Sequence, residues 1–238
     1  MALSPWTSRK TSLRLRPGDF IGSVFIFLNI IVFAASVLLL TQAWPYRRME
    51  AIRYLLLFGT ALCLTSFFSL NVYMASGFED KVMFSRLRFL GLAFIAPAGL
   101  LFFASILQRW LWLRNNWIRT SIFLPAILTS LMVFDLLDRG WLVFDYAPVE
   151  SLGVSVLSFK GGTWFPIYFV WTHILTFLVL FLFLQTALLQ PKKRKDLLIL
   201  SSGVIAAGAV DIACVYLFPT LRWLMLSAGT FSIIELSI

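Results

Sequence analysis

The sequence predicts an all-α integral membrane protein, folded as an antiparallel up-and-down bundle of seven transmembrane helices. Hydrophobic residues make up 60% of the 238 residues and charged residues only 13%, and the mean hydropathy is +0.89. Soluble domains contain about 45–50% apolar and about 25% charged residues. The apolar residues also form long runs, and a helix needs about 20 of them to cross a hydrocarbon core of about 30 Å. Composition and run length together place the chain in a lipid bilayer.

Seven apolar runs have the length of a membrane span. Polar or proline-containing segments such as "WPYRRME", "GFEDK" and "FPTLR" separate them. Short connections make successive helices antiparallel neighbours, which gives the up-and-down order. The predicted spans are residues 20–43, 52–76, 86–108, 117–137, 165–189, 197–218 and 221–238.

The two ends of the chain differ in character. Residues 1–19 are basic and are expected to form a disordered tail before the membrane domain of residues 20–238. The apolar run after this tail is too long for the hydrophobic region of a signal peptide. The last span stops at residue 238 without a cytoplasmic flank, so we expect an output module to be missing from this sequence. Cys63 and Cys214 lie inside apolar runs and are expected to be free thiols.

One connection, residues 138–164, is long and too polar to cross a membrane. It contains Asp138, Asp145, Glu150 and several glycines, and its apolar stretches "GWLVFDYAP" and "VSVLSF" are short. These stretches predict a small interfacial hairpin or a lid.

The basic residues indicate how the chain sits in the membrane. The formal net charge is +9, but the basic residues lie between the apolar runs, which favours anionic lipid headgroups and topology control over nucleic acid. Loops 1–2, 3–4 and 5–6 contain ten Lys and Arg residues; the other loops contain six and the N-terminal tail four. The counts on the two sides are therefore equal, ten against six plus four. The "PKKRK" cluster lies in a compact loop between two spans and receives more weight than the tail, so an outside N-terminus and a cytoplasmic C-terminus are favoured.

Several polar residues interrupt the predicted spans at a similar depth. Asp211 lies eight residues before Pro219, and His173 lies eight residues after Phe165, so both are about 12 Å from the same membrane face. Ionisable residues in spans are costly and usually face the bundle interior or a cavity. The same outer half of the membrane also contains Asn29, Asn71, Arg86 and Arg88.

This polar layer has two interpretations, and the sequence leaves both open. Asp211 and His173 can hydrogen-bond each other or helix hydroxyl groups and simply lock the bundle. Alternatively, the layer is a binding site for a ligand or a proton. Pairing with His173 or Arg88 would keep Asp211 ionised, because desolvation alone would protonate it. We find no nucleotide-binding loop, paired metal ligands or nucleophilic triad, so we expect no catalytic residue, cofactor or metal.

One of the apolar runs carries a family resemblance. "FSRLRFLGLAFIAPAGLLFFASIL" (84–107) resembles the third helix of the N-terminal seven-transmembrane region of bacterial sensor histidine kinases. That helix opens with an aromatic–x–Arg–x–x–aromatic–Leu–Gly pattern, usually beginning with Trp, so Phe84 is a departure. The matching positions are Phe84, Arg86, Phe89, Leu90, Gly91, Pro97 and Phe102.

Two further segments carry the same resemblance. "WTHILTFLVLFLFLQTAL" (171–188) is similar to the fifth helix of that family, with His173 near its outer end. "LLILSSGVIAAGAVDIACVY" (197–216) is similar to the sixth helix, where a polar residue, often Asn, occupies the position of Asp211. The resemblance covers about residues 20–238.

The resemblance implies a sensory input domain in a bacterial inner membrane. Such a domain perceives a small, often lipophilic signal and relays it to a cytoplasmic kinase, cyclase or phosphatase module in the same chain. It also implies a homodimer of the full-length protein, with membrane lipids as further partners. The candidate ligand-binding residues are Asp211, His173, Asn71, Arg88, Arg86 and Asn29.

Two other functions stay open from the residues alone. A small transporter or channel would use Asp211 and His173 as a proton or cation relay, although the chain halves show no inverted repeat of the kind common in transporters. A membrane scaffold without catalytic activity would use the polar layer for packing only.

Overall fold

The computed structural model of the chain describes residues 17–108, 110–134, 140–151, 154–199, 201–202 and 205. Five long α-helices and one β-hairpin make up most of this part. Short 3-10 helices follow α1, precede α4 and follow α5. The elements are α1 (Pro17–Ala43), α2 (Glu50–Met74), α3 (Phe78–Ile106), α4 (Asn116–Val133), β1 (Val143–Ser151), β2 (Val154–Gly161) and α5 (Trp164–Leu189).

All five long helices are apolar and long enough to cross a membrane. At 1.5 Å per residue, the 25 residues of α2 span about 38 Å, more than the hydrocarbon core of about 30 Å. The chain is therefore a multi-pass membrane protein. The predicted span 221–238, most of the predicted span 197–218 and residues 1–16 of the predicted tail fall outside the described residues.

Helix α3 begins at Phe78, eight residues before the predicted start of its span. The sequence "GFEDK" looked like a polar break, but its acidic residues are the first turn of the helix. Gly77 is the extended residue before the helix, and Glu79 and Asp80 follow in the first turn. Carboxylates are favourable there because the helix dipole is positive at its N-terminus.

Helix α3 is the central helix of the described part, since it packs against α2, α4 and α5. Its closest approach is to α2, and Gly91 allows it. A Cβ atom added at Gly91 would overlap the carbonyl oxygen of Ala61 and the hydroxyl group of Thr65. Small residues at helix interfaces let backbones approach in this way in membrane proteins.

The long connection contains a two-stranded antiparallel hairpin, as one of the two interpretations predicts. Val149 of β1 lies opposite Val156 of β2. Phe159 of β2 is buried, and its ring centroid is 6.3 Å from that of Phe89 on α3 and 6.0 Å from that of Phe165 on α5. The hairpin therefore packs over one end of the helices, which we call the hairpin end; the opposite end is the far end.

The hairpin is joined closely to α5. The backbone N–H of Trp164 donates to the carbonyl oxygen of Trp141, at 2.8 Å. Gly162 connects the hairpin to α5, and a Cβ atom at this position would overlap the backbone of Gly140 and Trp141. The start of α5 and the base of the hairpin are thus one packed unit.

Elsewhere, Cys63 is a free thiol as predicted, whereas Cys214 lies beyond the described part of the chain.

Candidate ligand site

Arg88 is the most unusual side chain in the described spans. It lies ten residues into α3, about 15 Å along the helix from the hairpin end, and only 3% of it is exposed. Arginine stays protonated in proteins, and a buried charge without compensation costs several kcal/mol. Its Nε has no hydrogen-bond partner within the described residues. The bundle therefore buries a cation with donor capacity left over.

Two tyrosines from different elements lie around Arg88. Tyr73, near the end of α2, and Tyr146, on β1, are its electrostatic partners within the described ranges. A phenol oxygen can accept a hydrogen bond from a guanidinium group but carries no full charge at neutral pH. Polar groups from two elements therefore interact electrostatically with the charge of Arg88.

Arg86, one half-turn earlier on α3, shares one of these tyrosines. Its guanidinium carbon lies 5.8 Å from the centroid of the Tyr146 ring, within the range of a cation–π interaction. Arg86 also lines an open groove of about 480 Å³ between the start of α3 and the end of α4. The hairpin thus covers both arginines through one side chain.

His173 is half-buried on α5 and bonds to its own helix. Its Nδ1 lies 2.8 Å from the carbonyl oxygen of Phe169, one turn earlier, and the two rings are 4.0 Å apart between centroids. A carbonyl oxygen only accepts hydrogen bonds, so Nδ1 is the donor in this bond. This bond orients the ring without joining α5 to another helix.

The two asparagines occupy different environments. Asn71 donates from Nδ2 to the carbonyl oxygen of Phe67 on its own helix, at 2.8 Å, and is half-buried. Asn29 on α1 is buried, with only 1% exposed.

The predicted site residues thus fall into three groups. The structure brings Arg86 and Arg88 together at Tyr146, and it places Asn29, Asn71 and His173 on three other spans. Asp211 lies outside the described residues, and its pairing with His173 or Arg88 stays a prediction.

Sequence reasoning missed the aromatic residues of this site. Tyr146 is the one tyrosine in residues 138–164, and Tyr73 lies in the last turn of α2. A tyrosine combines an apolar ring with a polar tip, which suits a position between helices and membrane interface. A tyrosine near the end of a span could therefore have been singled out from the sequence. Only the structure shows which charged residue the phenol groups face. Among the described residues no group of three or more His, Cys, Asp and Glu side chains could hold a metal ion.

Comparison with known proteins gives one match. The family model described as the N-terminal 7TM region of histidine kinase matches residues 28–237. No curated protein and no solved structure matches the chain. The family match confirms the resemblance that residues 84–107, 171–188 and 197–216 carry.

Proposed function

The chain belongs to the family of N-terminal 7TM regions of histidine kinases, and we propose that it perceives a small signal molecule, lipophilic signals included, for a cytoplasmic kinase. The region is the sensory, non-catalytic part of such kinases. The observation that carries the proposal is Arg88, a cation buried in a membrane span beneath the hairpin. Ionisable residues in spans mark binding sites and ion paths more often than simple packing.

The proposed signal site lies in the bundle near the hairpin end. Arg88 supplies the charge, and Tyr73 and Tyr146 supply polar groups that a ligand can rearrange. The remaining proposed contacts are Arg86, Asn29, Asn71, His173 and Asp211. Together they offer donors and acceptors inside an apolar bundle, which suits a small molecule with one polar group and an apolar body.

Signal transfer requires two arrangements of the helices that bind the ligand with different affinity, because a ligand with equal affinity shifts nothing. Moving the balance from 1:99 to 99:1 needs a ratio of about 10⁴ between the two affinities. Helix α3 is suited to this role, since it carries Arg88 and contacts α2, α4 and α5. The predicted seventh span, residues 221–238, would carry the shift to the output module.

The proposal includes an architecture and an orientation. Seven antiparallel spans would follow a disordered tail, with the hairpin end outside a bacterial inner membrane and the far end in the cytoplasm. The basic residues 192–195 at the far end support this orientation, because cytoplasmic loops are enriched in Lys and Arg. A homodimer of the full-length protein would bring two output modules together.

Cysteine labelling tests the orientation. Lys160 on the hairpin and Lys192 at the far end are both exposed. In a background with Cys63→Ala and Cys214→Ala, Lys160→Cys should react with a membrane-impermeant maleimide in intact cells. Lys192→Cys should react only after the cells are permeabilised. The reverse pattern would place the hairpin end in the cytoplasm and remove the proposed extracellular signal site.

A further inference from the structure

A groove between α3 and α4 at the hairpin end has two side chains of opposite charge in an otherwise apolar lining. It has a volume of about 480 Å³ and opens to the surface of the bundle. Its polar side chains are Glu79 and Arg86, and its apolar lining includes Met83, Leu87, Val133 and Phe134. Met83 and Phe134 are about half exposed, so in a membrane they face lipid.

The two charges of the groove lie on one face of α3. Glu79 and Arg86 are seven residues apart, which separates them by about 10 Å along the helix axis. Seven residues complete nearly two turns, so the two side chains leave the helix within about 20° of the same direction. Side chains on a helix lean toward its N-terminus, and arginine is longer than glutamate, so the charged groups approach each other. Glu79 makes no ion pair or side-chain hydrogen bond within the described part of the chain.

The order of these groups follows the membrane normal. Glu79 lies in the first turn of α3, nearest to water; Arg86 lies deeper; and Leu87 and Val133 continue the apolar lining. The headgroup region is about 5–8 Å thick on each side of a bilayer, and the lipid proposal requires the guanidinium group of Arg86 to reach it. From water inward, the groove thus offers a carboxylate, a guanidinium group and an apolar wall.

We propose that this groove binds a membrane phospholipid with a phosphoethanolamine headgroup. The ammonium group of such a lipid is outermost, its phosphate is deeper and its acyl chains are deepest. The ammonium would donate to Glu79, the phosphate would accept from Arg86, and an acyl chain would lie along Met83, Leu87 and Val133. Guanidinium–phosphate and ammonium–carboxylate bonds are charge-assisted and stronger than neutral ones.

Other common headgroups fit the same groove less well. A phosphoglycerol headgroup has a phosphate for Arg86 but places no cation beside the Glu79 carboxylate. A phosphocholine headgroup has a quaternary ammonium, which has no N–H to donate. The Tyr146 ring, 5.8 Å from the guanidinium carbon of Arg86, holds the phosphate-binding group in place. Preorganisation of this kind lowers the entropy cost of binding.

Lipid titration of the purified whole protein by native mass spectrometry tests the proposal. The probes are dioleoyl lipids with phosphoethanolamine, phosphocholine and phosphoglycerol headgroups. We expect the phosphoethanolamine lipid to bind about tenfold more tightly than the other two, on the scale of one charge-assisted hydrogen bond. Glu79→Gln should remove this preference, and Arg86→Gln should weaken all three lipids by about tenfold.

Two further variants make the result interpretable. Asp80→Asn removes a carboxylate next to Glu79 that does not line the groove, so it should leave the preference unchanged. Arg86→Lys retains the charge and should retain part of the affinity if Arg86→Gln acts through the phosphate and not through misfolding. Equal affinity for the three lipids, a preference for phosphoglycerol, or a preference that survives Glu79→Gln would each overturn the proposal.

The lipid site shares Arg86 with the proposed signal site, but its selectivity depends on Glu79, which is no part of that signal site. Its failure would leave the proposed sensory function in place, and a protein without signalling activity could still show the lipid preference.

Discussion

The guanidinium carbon of Arg86 lies 5.8 Å from the ring centroid of Tyr146, so a residue of the hairpin covers a charged residue of a membrane helix. The same tyrosine is an electrostatic partner of Arg88. The polar connection between α4 and α5 therefore contributes a residue to the candidate site in the spans. Tyr146 therefore joins the hairpin to α3 by its ring, which lies over Arg86, and interacts electrostatically with Arg88.

Removing the ring of Tyr146 should loosen this connection. A cation–π interaction contributes about 0.5–2 kcal/mol, so Tyr146→Ala should lower the free energy of unfolding by about that amount or more. Tyr146→Phe keeps the ring over Arg86 and removes only the hydroxyl group near Arg88. Reversible unfolding in mixed detergent micelles measures both variants. Equal loss in the two variants would show that the hydroxyl group, and not the ring, makes the contact.

The close contact of α2 and α3 depends on Gly91. Its missing side chain leaves room for the carbonyl oxygen of Ala61 and the hydroxyl group of Thr65. Gly91→Ala should therefore force the helices apart and cost about 1–3 kcal/mol, the usual cost of overpacking. Gly99→Ala is the control on the same helix, since its added Cβ would meet only the ring of Phe58 at 3.3 Å. A melting temperature unchanged by Gly91→Ala would contradict the packing.

The hydrogen bond from Nε1 of Trp164 to Oγ1 of Thr129, at 2.9 Å, joins α5 to α4. Side-chain hydrogen bonds between membrane helices contribute about 0.6 kcal/mol on average and up to about 1.7. A double-mutant cycle with Trp164→Phe and Thr129→Ala should give a coupling energy in this range. Trp117, 82% exposed, gives the control variant Trp117→Phe, which should couple to neither residue. Zero coupling between Trp164 and Thr129 would exclude the bond.

At the far end, Arg119 makes a hydrogen bond and an ion pair of different strength, and its guanidinium carbon also lies 5.7 Å from the centroid of the Tyr54 ring. Its Nε donates to the carbonyl oxygen of Leu113 at 2.7 Å, and its guanidinium group pairs with Glu50 of α2. Exposed ion pairs contribute little, whereas a hydrogen bond from a charged donor to a half-buried carbonyl contributes about 1.5–3 kcal/mol. We expect Arg119→Lys to destabilise the protein by more than about 1 kcal/mol and Glu50→Gln by less than about 0.5. The opposite ranking in unfolding measurements would make the ion pair the dominant contact.

The spans were predictable because the bilayer imposes their length. Helices α2 and α5 begin and end within two residues of their predicted bounds. Helix α3 begins eight residues before its predicted span because Glu79 and Asp80 are polar but favourable at a helix N-terminus. Hydropathy records only how apolar a residue is, and it does not include the helix dipole.

The candidate site was predictable only in part. Position along a helix follows from residue count, and Arg88 and His173 lie within the helices α3 and α5, as the predicted spans require. The direction of a side chain depends on its rotamer and neighbours, and His173 bonds the carbonyl oxygen of Phe169 on its own helix. The contribution of Tyr146 could not be predicted, because it requires the hairpin to fold back over α3.

The signal site itself is best tested by the output that it is proposed to control. The whole protein, in membrane vesicles with its cytoplasmic module, should autophosphorylate with ATP. Arg88→Gln removes the buried charge of the site, and Arg88→Lys keeps the charge without the planar donor group. Arg53→Gln is the matched control, since Arg53 is exposed at the far end and its side chain donates to the carbonyl oxygen of Arg48.

Autophosphorylation measured across these four proteins, at equal amounts of protein in the membrane, is the most direct measurement. If Arg88 biases the signalling states, Arg88→Gln should change the autophosphorylation rate at least about fivefold in either direction, because fivefold is about the smallest coupling typical of allosteric sites. Arg88→Lys should give an intermediate rate, and Arg53→Gln should leave the rate unchanged. Equal rates in the four proteins, or no phosphorylation in any of them, would contradict a sensory role for Arg88.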